Sequence, residues 1–152
     1  MNIRSLMSHE LFVSKAEAHR HQNPGIQGIP RSVLNDERLR PHLTAEQINH
    51  LRERHDFPYW CQRRLDITDK ATNRNIRFEL NAPQIRFIAQ CETLRLTGKP
   101  IHVIALKSRQ WGCTTVVNAY MLWLLIYHHE NSNLALCGNS HTIVGNTLNT
   151  FR

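Results

Sequence analysis

The chain has 152 residues and a mass of 17.8 kDa, room for one ordinary domain or one domain and part of another. Hydrophobic residues make up 41% of it, which excludes wholesale disorder. The 19 Lys and Arg against 12 Asp and Glu give +7 at pH 7 and a pI near 9.8, a balance that favours polyanionic partners such as nucleic acid or phosphates. The longest apolar run, around Met121 to Tyr127, is too short for the roughly 20 residues that span a bilayer. The segment from Met1 to Phe12 is polar and lacks the apolar core of a secretory signal. Cysteines 61, 91, 113 and 137 have no metal-type spacing and read as reduced thiols of a cytosolic protein.

Residues 3 to 19 fit an amphipathic helix with Leu6, Met7, Leu11 and Phe12 on its apolar side. Residues 22 to 31, with Pro24, Gly25, Gly28 and Pro30, read as a linker. Thr44 to Gln47 is a capping box, in which the Thr hydroxyl accepts from the third helical amide and the Gln side chain reaches back. A helix from Ala45 to His55 follows, ended by the aromatic cluster Phe57-Pro58-Tyr59-Trp60, a hydrophobic plug rather than a ligand-stacking surface. Residues 63 to 79 alternate around a polar turn at Thr72-Asn73 and predict a hairpin. Asn81 is placed to cap a helix from Pro83 to Leu96, with Pro in its first turn, and Gly98 to end it.

From Pro100 onward the charges thin out, and Glu130 is the one acid. Ile101 to Leu106 is a short β-branched run that predicts a buried strand. Lys107 to Thr114 is a polar loop, Thr115 to His129 a helix, Leu134 to Gly138 a second strand, and a further helix starts near His141. Strand, loop, helix and strand in this order predict a βαβ unit, with strands 101–106 and 134–138 parallel and the helix as a right-handed crossover. The fold class is therefore α/β: a P-loop-type parallel sheet with helices, preceded by a helical and hairpin region.

A loop ending Gly-x-Thr between a strand and a helix has the layout of a phosphate site, because the helix N-terminus offers unpaired N–H groups and the positive dipole end. The loop Lys107-Ser108-Arg109-Gln110-Trp111-Gly112-Cys113-Thr114 aligns with the pattern G-x-x-x-x-G-K-[ST] at Gly112 and Thr114. It departs at Lys107, where the first Gly belongs, and at Cys113, where the Lys belongs. A lysine entering from the strand side retains a flexible cation for the phosphates. Arg109 adds a guanidinium that can clamp phosphate oxygens, and Thr114 or Thr115 a hydroxyl for Mg²⁺. On the pattern alone an ordinary strand–helix turn is the favoured reading; the flanking strand and helix bring the two readings level.

Residues 107 to 115, Lys-Ser-Arg-Gln-Trp-Gly-Cys-Thr-Thr, resemble the deviant Walker A loop of large terminase subunits, the DNA-packaging ATPase motors of tailed bacteriophages. That family often builds its loop around Arg-Gln-x-Gly, and some members carry the phosphate lysine at the start of the loop. Phe78-Glu79-Leu80-Asn81-Ala82-Pro83-Gln84 resembles the family's adenine-recognition segment, with Gln84 in the place of the purine-reading amide. The resemblance covers roughly residues 56 to 150. It implies the N-terminal portion of a P-loop ATPase domain over 57–152; residues 1–56, read from their own pattern as a helical N-terminal region and linker, lie outside it. It implies ATP and Mg²⁺ as cofactors, bound by Gln84, Lys107, Ser108, Arg109, Gln110, Gly112, Cys113, Thr114 and Thr115. Within that set Arg109 is the catalytic cation and Thr114 the Mg²⁺ ligand. It further implies double-stranded viral DNA, a small terminase subunit and a portal protein as partners, in the cytoplasm of a bacterial host and away from membranes.

The family's Asp-Glu strand end (Walker B), coupling motif and carboxylate-rich nuclease have no counterpart here, so the expectation is a fragment of a longer protein, inactive as an ATPase by itself. A non-catalytic basic DNA-binding or interaction module, and a fragment of another P-loop helicase, are the alternatives. The basic pairs Arg38/Arg40, Arg52/Arg54 and Arg63/Arg64 fit DNA phosphates or a solvated face equally. The adjacent His128 and His129 point about 100° apart on a helix, which suits a charged helix C-terminus better than a shared metal. Trp111 fits either a nucleotide cover or packing against the neighbouring helix, and Cys113 lacks a neighbouring base that would make it a nucleophile.

Overall fold

A computed structural model describes residues 3–22, 28–29, 31–38, 42–69, 72–106 and 111–129. In chain order the elements are α1 (Ile3–Gln22), α2 (Arg31–Leu34), α3 (Ala45–His55), α4 (Phe57–Arg64), β1 (Asp66–Thr68), β2 (Asn75–Arg77), α5 (Ala82–Leu96) and α6 (Cys113–Tyr127). The architecture is mixed and helix-rich, with β1 and β2 forming a two-stranded antiparallel sheet in the register Asp66 to Arg77 and Thr68 to Asn75.

Local chemistry accounts for the helix starts. Thr44 accepts from the Gln47 amide at 3.2 Å while the Gln47 side chain accepts from the Thr44 amide at 2.9 Å. Asn81 and Gln84 repeat the device for α5, with both bonds at 3.0 Å. Each pair satisfies two amides that a helix N-terminus otherwise leaves unpaired, worth about 1 kcal/mol per cap.

The Phe57 to Trp60 cluster was expected to terminate α3; it opens α4 instead. Asp56 closes one helix and caps the next, accepting from the Tyr59 amide at 3.0 Å, and Pro58 gives up no hydrogen bond in the first turn. The change of direction sends Phe57, Trp60 and Cys61 into the principal core, where they meet Ile88 and Cys91 of α5 and Val116, Ala119, Tyr120 and Trp123 of α6. Phe57 meets Tyr120 and Trp123 edge-on, at centroid separations of 5.4 and 5.5 Å. Burying side chains of this size contributes about 2 to 3 kcal/mol each, so the aromatic junction of α4 and α6 is the main apolar anchor. A second, smaller cluster joins Phe12 and Ala16 of α1 to Ile29, Leu43 and Leu51.

Among the described residues the run Ile101 to Leu106 is not paired as the predicted strand. It has no ladder partner among the described residues, and Ile104 and Leu106 are fully exposed. The described sheet lies elsewhere, folded back towards α4, so no described strand is alongside to pair with it. The second predicted strand, 134–138, and the helix start at His141 lie outside the described residues. The helix after the loop starts at Cys113 rather than Thr115 and ends at Tyr127.

Candidate nucleotide-binding loop

Gly112 is the N-cap of α6 and adopts a left-handed backbone with φ of +79°. Its carbonyl accepts from the Val116 amide at 3.1 Å, and no side chain caps the helix. The first turn of α6 therefore presents its amides and dipole end without an internal counter-group. A Cβ at Gly112 would stand 2.6 Å from Nε2 of Gln84, so glycine is required there by both backbone conformation and space.

Gln84 is the residue that holds this loop. It is 3% exposed. Its Oε1 accepts from the Asn81 amide, and its Nε2 donates to the carbonyls of Trp111 and Gly112, both at 3.2 Å. Asn81 adds a longer bond from Nδ2 to the Trp111 carbonyl at 3.4 Å. Trp111 packs edge-on against Phe87, which supports the packing alternative for that ring. With both amide hydrogens committed to the loop, Gln84 in this conformation acts as a tether; reading a purine requires it to release those carbonyls.

Thr114 is exposed, and Cys113 and Thr115 are partly buried, at the mouth of α6. Lys107, Ser108, Arg109 and Gln110 lie outside the described residues, as does Glu130. The structure thus brings Gln84, Gly112, Cys113, Thr114 and Thr115 together at one helix end. Among the described residues no group of three or more His, Cys, Asp or Glu side chains is arranged to hold a metal ion.

Two buried carboxylates that the sequence reading passed over organise the surrounding helices. Glu92 of α5 has no solvent exposure; it pairs with Arg20 and Arg95 and accepts from the Tyr120 hydroxyl at 2.5 Å. Glu53 of α3, 1% exposed, pairs with Arg63 at 2.7 Å and Arg64 at 3.1 Å and accepts from the Tyr127 hydroxyl at 3.1 Å. Burial pushes both tyrosines up to about 12, so each hydroxyl keeps its proton and donates. Glu92 was visible as an acid four residues after Ile88 on the apolar side of α5. No comparable spacing marks Glu53.

Three arginines of the basic pairs also meet carboxylates. Arg63 and Arg64 are held by Glu53, and Arg52 lies 3.5 Å from Asp56 and over the Tyr59 ring. The charged role expected of His128 is corrected: its Nε2 faces the Arg54 carbonyl at 3.0 Å and its ring packs on Trp123. Burial, reinforced by the Arg95 charge, pulls it down to about 3, so it is neutral. Burial pushes the thiol of Cys61 far up and that of Cys91 to about 11, which leaves both inert. Among the described residues no helix is long and apolar enough to cross a membrane. No family model, curated protein or solved structure matches this chain.

Proposed function

We propose that residues 107–115 form the triphosphate-binding loop of an ATP-driven DNA-packaging motor of the large terminase kind. The observation that supports this reading is the tethered loop end: a left-handed Gly112, fixed by Gln84, opening an uncapped α6 with Thr114 exposed at its mouth. In this reading Lys107 and Arg109 neutralise the triphosphate, Gly112 lets the backbone approach it, and Thr114 offers its hydroxyl to Mg²⁺. Gln84 positions the loop directly and couples its geometry to the start of α5.

The finer fold belongs to the same proposal. Strand pairing of 101–106 with 134–138 in a parallel P-loop sheet would cover Ile104 and Leu106, apolar side chains that are otherwise left in water. The partners follow from the function: double-stranded DNA, a small terminase subunit and a portal. Hydrogen exchange with and without ATP·Mg²⁺ tests the assignment. Nucleotide is expected to slow exchange at 107–115, and amides 101–106 are expected to be protected as strand amides. Unchanged exchange at the loop under saturating nucleotide, together with fast exchange over 101–106, would overturn it.

A further inference from the structure

Away from the loop, one cavity collects cations. Arg20 and His21 near the end of α1, His55 at the end of α3, Arg95 and Gly98 at the end of α5, and His128 after α6 line a space of about 230 Å³. Helix C-termini attract cations, which explains why these residues gather here. The carbonyls that attract them are partly consumed: Arg20 donates through Nη1 to the His55 carbonyl, and His128 faces the Arg54 carbonyl. The carboxylates are also few. Glu92, behind the cavity wall, is shared by Arg20 and Arg95, Asp56 acts on Arg20 from a distance, and the acid lining the cavity is the exposed Glu17.

One donor is left over. Arg20 is 2% exposed, and its Nε has no hydrogen-bond partner although Nη1 and Nη2 are engaged. A buried guanidinium N–H without an acceptor is uncommon in a folded protein. We infer that this cavity binds a small tetrahedral oxyanion of the phosphate class, received by Arg20 and Arg95 with His21 and His128 at its walls. A free ion fits the volume. Burial and the Arg95 charge pull Arg20 down to about 10, and an anion beside it would favour its charged form. Gly98 leaves the wall open, since a side chain there would touch nothing within 4 Å.

The test uses the full chain and inorganic phosphate at constant ionic strength, read by equilibrium dialysis and by the histidine ring resonances. Saturable binding is expected, with shifts at His21 and His128 and none at His42 or His102. Arg20→Lys preserves a charge for Glu92 but removes the Nε donor, and should weaken binding about tenfold, equivalent to roughly 1.4 kcal/mol. Lys107→Ala should leave it unchanged, which separates this site from the proposed nucleotide loop. The ring resonances localise the ion in the unaltered protein, so the result stands even if Arg20→Lys does not fold. No saturable binding below about 10 mM, a millimolar-to-weaker affinity, would overturn the inference. So would binding that shifts neither histidine, or that Lys107→Ala abolishes.

Discussion

Nε2 of Gln84 donates to the carbonyl of Gly112 at 3.2 Å and lies 2.6 Å from where a Gly112 side chain would begin. The first helical turn of α5 and the N-terminus of α6 are therefore one unit. Gly112→Ala must both adopt a left-handed backbone, at about 1 to 2 kcal/mol, and displace the Gln84 amide. Urea unfolding should show a loss at or above that size. Gln84→Ala should lose about 1 kcal/mol through the broken capping box and loosen residues 111 and 112 in hydrogen exchange. Unaltered exchange there in Gln84→Ala would show that the glutamine does not hold the loop.

The two carboxylate centres should respond differently to mutation. Glu92 neutralises Arg20, whose side chain is 3% exposed, whereas the Arg63 and Arg64 partners of Glu53 are 45% and 57% exposed. Glu92→Gln leaves a buried cation unpaired and should cost about 3 to 5 kcal/mol. Arg63→Ala or Arg64→Ala each leaves the other arginine on Glu53 and should cost under about 1 kcal/mol. Chemical denaturation of the three variants gives the ranking, and an Arg63→Ala loss as large as that of Glu92→Gln would contradict it.

Acid should weaken the fold through His128. Its folded value is about 3, below the ordinary 6.5, so the unfolded chain takes up a proton that the folded chain refuses. This contribution to stability is complete above pH 6.5 and declines as pH falls towards 3, by up to about 1.4 kcal/mol per pH unit. His128→Gln removes the titration. Its stability profile between pH 6.5 and 4.5 should be flatter than that of the unaltered protein; parallel profiles would refute the burial of a neutral imidazole.

Helix positions were legible in the sequence wherever a local device set them. The Thr44–Gln47 box, the Asn81 cap and the turn at Thr72-Asn73 are short-range chemistry, and the structure has α3, α5 and the hairpin where those residues put them. What depends on distant partners was less legible. Ile101 to Leu106 has strand composition, but a strand requires a neighbour, and none is present among the described residues. Phe57 to Trp60 looked like a helix end because two helices meet at Asp56, a residue serving both. At the candidate site, spacing singled out Gly112 and Thr114, and the family resemblance pointed to Gln84. The tethering bonds of Gln84 to Trp111 and Gly112 span 27 and 28 residues, so no local pattern could reveal them.

The affinity of ATP·Mg²⁺ for the unaltered chain, Lys107→Ala and Cys113→Ala tests the nucleotide-loop proposal most directly. The displaced lysine is assigned to the phosphates, so weak binding by the unaltered protein should be lost in Lys107→Ala and kept in Cys113→Ala. Binding that survives Lys107→Ala but is abolished by Cys113→Ala, or no binding by the unaltered chain at millimolar nucleotide, would contradict the account.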